Sequence, residues 1–428
     1  MTRPTTPMSR RSALTLLAGA APLIVSPRVL GADGTVAPSR RVTMGFIGLG
    51  VHGLGYNLAN FLQHDDAQIV AVCDVFASRR RKARETVDAK YGGKGCREYA
   101  DFRELLADPG IDAVCISTPD HWHVPIAMMA LDAGKDVMCE KPTLTIAEGR
   151  ALVEKVAAKK AVYQVGLEDR STSHYHKLAQ LVRNGAVGDL RRITAGVPSG
   201  KPFPKEEPAP APDDLDYKMW LGPAPFHPFT PNRTHHEYWR QIRDYSGGML
   251  TDWGAHLLDT AQVANFAEAS GPVAVEGKGT YAQNSLATMP VEFEVTYRYA
   301  NGVELLAKSG GVMLRFEGDK GWIGNDGWLG GLKASDPGLL RIAIPPEQDK
   351  IWPRPAGEHR NFLDCVASRA PTTYTAEAGQ RLSTLLHLGN ISIELGRKLA
   401  WDPATESFTG DDAANALRSR VAREDWKA

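Results

Sequence analysis

The stretch Val42–Gly53 reads VTMGFIGLGVHG and joins an apolar run to a turn that contains three glycines. The apolar run predicts a buried β-strand, and Gly48, Gly50 and Gly53 follow it with the spacing G-x-G-x-x-G. Between a strand and a helix, such a turn lets backbone amides and the positive helix end hold a pyrophosphate. Asp74 ends the next apolar run, where a carboxylate can bind a ribose diol. The stretch therefore predicts a dinucleotide-binding unit; the alternative is a glycine turn with an aspartate that caps a strand.

Strand-like and helical segments alternate after this stretch. Further apolar, strand-like runs begin at Gln68, Ala113, Asp136 and Val162. Strands that alternate with helices predict a parallel sheet with helices on both faces. We therefore expect an α/β domain with a doubly wound Rossmann sheet over residues 42–166.

The pattern changes after this first domain. Alternating apolar and polar residues, as in PVEFEVTYRYA from Pro290, predict antiparallel strands with one solvent-exposed face. A proline-dense stretch at 198–231 predicts a long loop, which in a compact protein is usually functional or a linker. We expect a second, α+β domain with a mostly antiparallel sheet over residues 167–400 and a C-terminal tail over 401–428.

Length, charge and cysteine content limit the class of protein. A chain of 428 residues exceeds a single ordinary core. Its 50 lysines and arginines balance 50 aspartates and glutamates, which argues against nucleic acid or an anionic membrane as the main partner. The five cysteines form no C-x-x-C, and Cys73, Cys115 and Cys139 lie in apolar runs, so we expect no disulfide framework. We expect a small, neutral substrate.

The first 32 residues predict an export signal. Arg10 and Arg11 precede an apolar run, Ala13–Val25, and small residues follow it. This pattern resembles a twin-arginine signal, after which residues 33–41 would form a linker. The alternative is an uncleaved anchor, but the run is shorter than the roughly 20 residues that span a bilayer. We expect a periplasmic protein with no stable membrane span after signal cleavage.

Two further turns follow later strands, at the edge where a doubly wound sheet binds its ligands. One is STPDHWH, Ser117–His123, and the other is EKP, Glu140–Pro142. A lone lysine after a strand is usually a solvated charge. Beside a bound cofactor, however, Lys141 could donate a hydrogen bond to a substrate oxygen.

The stretch GGMLTDWGAHLLD, Gly247–Asp259, places Asp252 and His256 four residues apart. On a helix these positions share one face, so the carboxylate could orient the imidazole and raise its basicity, as a general base requires. The alternative is a capped helix whose histidine packs beside the core.

Taken in order, these motifs resemble the family of glucose-fructose oxidoreductase, inositol dehydrogenase and MocA, the Gfo/Idh/MocA family. The resemblance covers Val42 to the end of the chain and implies a second domain with a large, open, mostly antiparallel sheet. It implies an active site between the domains, with Lys141, Asp252 and His256 as its catalytic residues. His256 would take a proton from a sugar hydroxyl as hydride leaves for the nicotinamide, Asp252 would orient His256, and Lys141 would hydrogen-bond the reacting oxygen.

The cofactor is predicted to be NAD, because Asp74 would repel the 2′-phosphate of NADP. NADP stays open, since an arginine after Asp74 could accept that phosphate. The predicted cofactor contacts are Gly48, Gly50, Val51, His52, Gly53, Asp74, Arg79, Thr118, Pro119, Asp120, His123, Glu140 and Lys141.

The segment PNRTHHEYWRQIRDY, from Pro231, precedes the Asp252 and His256 helix. Aromatic faces and planar polar groups suit sugar recognition, although a loop that packs its own aromatic residues is an equal alternative. The predicted substrate contacts are Lys141, Arg170, His236, Tyr238, Trp239, Arg240, Asp252 and His256. No metal is expected, because adjacent ligands such as His235 and His236 lack the helical spacing of a metal site.

Our first hypothesis is an exported, NAD-dependent oxidoreductase that acts on a sugar, cyclitol or similar polyol and recycles a tightly bound cofactor. A second is a glycosidase that oxidises its sugar transiently with bound NAD, eliminates the aglycone and reduces the sugar again. A third is a non-catalytic sugar- or nucleotide-binding protein. The resemblance also implies a homo-oligomer, either a dimer or a tetramer.

Overall fold

The computed structural model describes residues 36–423 and residue 426. Its contacts divide the chain into two units, Met1–Arg41 and Val42–Ala428. The predicted export signal, residues 1–32, lies outside the described residues. Within the part of the chain that the structure describes, no helix is long and apolar enough to cross a membrane.

The first sheet contains six parallel strands, which are β1 (Val42–Ile47), β2 (Ala67–Cys73), β3 (Arg97–Tyr99), β4 (Ala113–Ile116), β5 (Asp136–Glu140) and β6 (Tyr163–Gly166). They lie in the order β3-β2-β1-β4-β5-β6 and grow outward from β1 in both directions. This order confirms the doubly wound sheet. Cys73, Cys115 and Cys139 are buried in it, and all five cysteines are free thiols.

The helices that connect these strands are α1 (Gly53–Leu58, continuing as Ala59–Phe61), α2 (Ala77–Tyr91), α3 (Phe102–Leu106), α4 (Asp120–Asp132) and α5 (Ile146–Lys159). α5 begins with a complete capping box. The backbone N–H of Glu148 donates to the Thr145 hydroxyl at 3.2 Å, and the backbone N–H of Thr145 donates to the Glu148 carboxylate at 3.0 Å. The capping box fixes the direction in which the chain that follows Lys141 enters α5.

The second sheet has nine strands, which are β7 (Leu190–Val197), β8 (Ala274–Tyr281), β9 (Pro290–Arg298), β10 (Glu304–Ser309), β11 (Met313–Gly318), β12 (Gly321–Asp326), β13 (Leu332–Ala334), β14 (Leu399–Asp402) and β15 (Ser407–Phe408). Their order is β13-β12-β11-β7-β10-β9-β8-β14-β15. β7 and β10 pair in parallel, and the other neighbours are antiparallel. This confirms the mostly antiparallel second sheet.

The helices of this second part are α6 (Ser173–Arg183), α7 (Tyr217–Leu221), α8 (Met249–Ala264), α9 (Glu358–Ser368), α10 (Ala376–Leu395) and α11 (Asp412–Ala416). α8 and α10 pack on one face of the nine-stranded sheet. The other face carries cross-strand ion pairs, such as Lys278 Nζ at 3.0 Å from Glu294 Oε1. One buried face therefore fixes α8, the helix that carries Asp252 and His256.

The prediction of a separate C-terminal tail is wrong. Residues after 400 do not form a separate tail, because β14 begins at Leu399 and pairs with β8, so the sheet includes them. The last long helix ends at Leu395, where Gly396 adopts the left-handed conformation with φ +63°. The sequence analysis also missed α9, whose Phe362 and Leu363 are buried in the core of the first domain. The α+β domain thus continues past its predicted end.

Candidate active site

A cavity of about 1000 Å³ lies at the carboxyl edge of the parallel sheet. Its walls come from the glycine turn, the loops after β4, β5 and β6, the segment 234–241 and the first turns of α8. Chain segments from both predicted domains therefore share one cavity. Lys141, Asp252 and His256 all lie in its wall.

The three glycines of the first turn have separate roles. Gly48 has φ +89°, and a Cβ there would lie 2.6 Å from the backbone of Ser117. A Cβ on Gly53 would meet the carbonyl oxygen of Gly48 at 2.1 Å, so both positions require glycine for packing. At Gly50 the nearest atom is Arg79 Nη1 at 3.8 Å, which leaves room over the turn. The turn thus offers an open approach to its backbone, as a bound pyrophosphate requires.

Asp74 is held at the end of β2 by two backbone amides. Its Oδ2 accepts from Leu49 N at 2.6 Å and its Oδ1 accepts from Phe76 N at 2.8 Å. Burial raises the pKa of Asp74, and the nearby charge of Arg79 opposes that rise. The Arg79 guanidinium lies 3.9 Å from the centre of the Phe76 ring. A carboxylate and an arginine therefore flank the same part of the cavity.

A buried carboxylate forms the floor below the glycine turn. Glu140 Oε1 lies 3.1 Å from His52 Nε2 and accepts a hydrogen bond from Asn57 Nδ2 at 2.8 Å. Burial favours the neutral acid, but His52, Lys141 and Asn57 together hold the pKa of Glu140 well below its usual range. Glu140 is therefore an anion that braces two neighbours. The sequence analysis did not single out Asn57.

The loop after β4 and the first turn of α4 contain a histidine with two backbone partners and two polar groups without a partner. Both ring nitrogens of His123 are used, Nδ1 against the Pro142 carbonyl and Nε2 against the Thr118 carbonyl, each at 2.8 Å. His123 lines the cavity, but its two ring nitrogens already contact backbone carbonyls, so the ring joins two chain segments and its role as a cofactor contact stays a prediction. Among the described residues, Thr118 Oγ1 and Asp120 Oδ2 are buried without a hydrogen-bond partner. Burial raises the pKa of Asp120 to about 6. These two groups are available to a polar ligand.

Lys141 and Asp252 contact each other across the cavity wall. The Lys141 ammonium donates to the Asp252 carbonyl at 3.0 Å, and Nζ lies 3.6 Å from Asp252 Oδ1. Burial acts to lower the pKa of Lys141, but the carboxylates of Asp252, Glu168 and Glu140 outweigh it and raise the pKa. Lys141 therefore remains a cation although only 10% of its side chain is exposed.

The predicted orientation of His256 by Asp252 is wrong. His256 Nδ1 lies 3.0 Å from Asp169 Oδ2 and 3.4 Å from Glu168 Oε1. The Asp252 carboxylate instead approaches two cations, Lys141 and Arg240, the latter at 3.3 Å. Burial and the Lys141 charge lower the pKa of His256 to about 4, so the imidazole is neutral near pH 7. A neutral imidazole can accept a proton.

Two protein-family models match the chain over segments that include Lys141, Asp252 and His256. Residues 42–167 match the Gfo/Idh/MocA model described as "Oxidoreductase family, NAD-binding Rossmann fold". Residues 199–428 match the model described as "Oxidoreductase family, C-terminal alpha/beta domain". The chain belongs to the Gfo/Idh/MocA oxidoreductase family.

Curated relatives match this Gfo/Idh/MocA protein over part of their length. The D-xylose 1-dehydrogenase (NADP(+)) of Hypocrea jecorina is 36% identical over 129 residues, 30% of this chain and 32% of the relative. The myo-inositol 2-dehydrogenase of Thermotoga maritima is 30% identical over 163 residues, 37% of this chain and 47% of the relative. The chain thus spans 32% to 47% of the length of these two relatives.

Two solved structures each resemble this protein over 84% of its chain. The aldose-aldose oxidoreductase of Caulobacter crescentus in complex with glycerol has a TM-score of 0.64 at 20% identity, covering 84% of this chain and 100% of that chain. The WlbA dehydrogenase of Bordetella pertussis in complex with NADH and UDP-GlcNAcA has a TM-score of 0.63 at 17% identity, covering 84% and 99%. At these identities the likeness shows the shared fold.

The segment before α8 divides between cavity and core in this Gfo/Idh/MocA protein. His236, Trp239 and Arg240 line the cavity. Tyr238 does not, and its ring stacks on Phe203 with centroids 4.5 Å apart and planes at 18°. The prediction of Tyr238 as a substrate contact is therefore corrected, because this ring packs within its own loop.

Arg170 also has a structural position. Its guanidinium donates to both oxygens of Asp259 at 2.7 Å and to the Thr373 carbonyl at 2.8 Å. Only 5% of its side chain is exposed, and it does not line the cavity. The prediction of Arg170 as a substrate contact is wrong, since a buried carboxylate already satisfies it.

The structure adds an aromatic corner that the sequence analysis missed. Trp253 and Trp328 line the cavity with ring centroids 5.3 Å apart and planes at 83°. The Trp328 ring lies 4.9 Å from the His256 ring. Trp253 lay inside the quoted helix motif, so its spacing from His256 could have indicated it, whereas Trp328 comes from the distant loop after β12. Within the described residues, no group of three or more His, Cys, Asp or Glu side chains could hold a metal ion.

Proposed function

We propose that this protein is an NAD(P)-dependent oxidoreductase that transfers hydride between a nicotinamide cofactor and a hydroxyl or keto carbon of a sugar or cyclitol. The observation that carries this proposal is that the cationic Lys141 and the neutral His256 line the same cavity as the open glycine turn. The site can thus pair a hydrogen-bond donor with a proton acceptor beside a place for a dinucleotide.

The residues at one end of the cavity fit such a cofactor. Gly50 leaves the turn open, and the Asp74 carboxylate stands where it can accept hydrogen bonds from a ribose diol. Thr118 Oγ1 is buried without a hydrogen-bond partner among the described residues. When bound, the nicotinamide supplies the hydride acceptor or donor. The protein would supply binding, orientation and proton handling.

The chemistry of the protein side chains follows from their charges. Lys141 stays protonated and would donate to the substrate oxygen, where negative charge develops as its proton leaves. His256 would receive that proton. Asp252 lies against Lys141 and Arg240, so its contribution would be to anchor the lysine and not to orient the histidine.

The substrate is proposed to be a polyhydroxylated ring. Arg240, His236 and Trp239 offer planar polar and aromatic groups on one wall, and Trp253 with Trp328 forms an apolar corner beside His256. Flat apolar faces with a few polar groups suit a sugar ring. The names of the relatives that act on D-xylose and myo-inositol support the same class.

The preferred cofactor is proposed to be NAD. A buried carboxylate at Asp74 would repel a 2′-phosphate. The D-xylose relative is named as NADP-dependent, and Arg79 lies beside Asp74. The preference between NAD and NADP therefore depends on whether the Asp74 carboxylate or the Arg79 guanidinium has the stronger effect on a 2′-phosphate.

Export through the twin-arginine route is part of this proposal. Arg10, Arg11 and the apolar run that follows them support it. Because that route carries folded proteins, NAD could be enclosed before transport and recycled by oxidising one sugar and reducing another. We also propose that the protein is a homo-oligomer, either a dimer or a tetramer. Size-exclusion chromatography with light scattering would establish the number of subunits.

A redox-assisted glycosidase is the second candidate. It is favoured by the Trp253 and Trp328 corner, which offers an apolar surface for an aglycone next to His256. Both reactions need the same hydride geometry, but the glycosidase also eliminates the aglycone and returns the hydride to the sugar, so its cofactor does not stay reduced.

The testing experiment uses the exported protein as purified. Denaturation followed by mass analysis identifies any released nucleotide, and absorbance at the reduced nicotinamide band is followed while sugars and glycosides are added. Stable reduction of bound NAD by a sugar supports the oxidoreductase. Glycoside cleavage without lasting reduction supports the second candidate, and binding without either reaction would favour a non-catalytic protein.

A further inference from the structure

Two adjacent carboxyl groups lie behind His256, on the single turn Glu168–Arg170 that follows β6. Asp169 is 2% exposed and its Oδ2 is 3.0 Å from His256 Nδ1. Glu168 is 17% exposed, lines the cavity, and its Oε1 is 3.4 Å from the same nitrogen. Among the described residues, His256 Nε2 has no hydrogen-bond partner. One ring nitrogen thus faces carboxyl groups, and the other is available to a substrate.

Charged groups surround this arrangement on every side. Lys141 and Glu140 face His256 from the end of β5, and Asp252 faces it from its own helix. Asp169 also faces Asp259, which is paired with Arg170. Behind Glu168 lies Glu358 of α9, a buried carboxyl.

Burial and the negative charge of Asp259 raise the pKa of Asp169 well above its usual range. Burial likewise raises the pKa of Glu168, although His256 opposes the rise. The imidazole behaves in the opposite way, because burial and Lys141 disfavour an imidazolium. A proton delivered to this group of three is therefore more stable on a carboxylate than on the histidine.

We propose that Asp169 and Glu168 are positioning residues that accept the proton relayed through His256, a role that rests on the proposed oxidation of a substrate hydroxyl. In that step the substrate O–H bond breaks and an Nε2–H bond forms on His256. The Nδ1–H bond of His256 breaks and an O–H bond forms on Asp169. The electron pair of the substrate C–H bond leaves as hydride to the nicotinamide, which is the oxidant. Glu168, nearer the cavity, exchanges the relayed proton with cavity solvent.

The physical benefit is that no imidazolium accumulates beside the Lys141 cation in a buried site. Burial and the Lys141 charge disfavour an imidazolium more strongly than the surrounding carboxylates favour it, whereas a protonated carboxyl is neutral. In the reverse reaction the protonated carboxyl of Asp169 returns its proton through His256 to the carbonyl oxygen of the substrate. Oxidation therefore needs the carboxylate form, and its rate rises with pH through the raised pKa of the pair.

The test compares Asp169→Asn and Glu168→Gln in the holoenzyme with Glu294→Gln, which removes the same charge from the exposed sheet face. Asp169→Asn should lower kcat for sugar oxidation about 100-fold, with KM nearly unchanged. It should also remove the acidic limb of the pH profile. Glu168→Gln should lower kcat less and shift that limb, and Glu294→Gln should change neither.

A second readout does not depend on turnover. Nitrogen-15 spectra of His256 report which ring nitrogen carries the proton, and the Asp169 carboxyl can be titrated by carbon-13 signals. We expect Nδ1 to be protonated in the wild-type protein at high pH, with Asp169 titrating before His256 as the pH falls. Asp169→Asn should change the ring tautomer equilibrium.

The proposal is overturned if Asp169→Asn and Glu168→Gln keep the kcat, the pH profile and the tautomer of the wild-type protein. If Asp169→Asn does not fold, Glu168→Gln with the spectra decides. If the wild-type protein oxidises no sugar, the proposed function fails, while the order of titration in the spectra still supports or contradicts the proton relay.

Discussion

His256 Nδ1 lies 3.0 Å from Asp169 Oδ2, whereas Asp252, one helical turn before His256, turns its carboxylate to Lys141 and Arg240. The acidic partner of the imidazole therefore comes from the turn after β6 and not from its own helix. Asp169 thus contacts the proposed proton acceptor, His256, whereas Asp252 contacts the proposed hydrogen-bond donor, Lys141. The two carboxyl groups can therefore be tested separately.

Lys141→Met should lower kcat by about 100- to 1000-fold, because it removes a positioned donor from the reacting oxygen. Nucleotide affinity, measured by fluorescence titration, should change little. Lys278→Met on the exposed sheet face is the matched control. Activity that survives within a few fold would show that Lys141 has no role in the chemistry.

Asp252→Asn should move the alkaline limb of the pH profile to lower pH. Lys141 must be protonated to act, and Asp252 is the largest of the charges that raise its pKa. Removing that charge lowers the pKa of Lys141, so activity is lost at a lower pH as the lysine deprotonates. Initial rates of sugar oxidation across the alkaline range measure the shift. An unmoved limb would mean that another group controls it.

Asp74→Ser should reduce discrimination against NADP, since it removes the carboxylate that repels a 2′-phosphate. The ratio of the dissociation constants for NAD and NADP should move towards NADP by about tenfold or more, equal to about 1.4 kcal/mol. Arg79→Ala in the same background should reverse part of the gain. If the ratio stays constant, Asp74 does not select the cofactor.

Trp328→Ala should raise KM for a sugar substrate about 3- to 10-fold, because an aromatic face contributes about 0.5–1.5 kcal/mol to a stacked contact. Trp322→Ala is the control, since that ring packs against Arg315 on the sheet. Steady-state kinetics with each variant would separate the two. Equal KM values for the wild type and Trp328→Ala would remove Trp328 from the substrate site.

Arg170→Ala should destabilise the protein by about 3–5 kcal/mol, because it leaves the buried Asp259 carboxylate unpaired. Denaturant unfolding measures this loss, and Arg397→Ala, which breaks an exposed pair with Asp411, should cost far less. KM of the folded Arg170→Ala enzyme should stay close to the wild-type value. A large rise in KM without loss of stability would restore Arg170 as a substrate contact.

The local sequence determined most of the fold. Strand periodicity, the Gly48–Gly53 turn and the Thr145–Glu148 capping box depend on neighbouring residues, and each is present in the structure. The glycine turn and Lys141 lie in one cavity because the carboxyl ends of parallel strands share one edge, whereas α8 brings Asp252 and His256 to it from the second sheet. Such features are readable from sequence since their causes act over a few residues.

Only the tertiary structure decided the partners of those residues. Asp169 and His256 are 87 positions apart, Arg170 and Asp259 are 89 apart, and β14 joins a strand that lies far earlier in the chain. Asp252 lies one helical turn before His256, so a local contact between them was possible. Its carboxylate lies instead against two cations, Lys141 and Arg240. Spacing along the chain restricts which side chains can share a face, whereas burial and the charges that other segments bring to that face select the contact that forms.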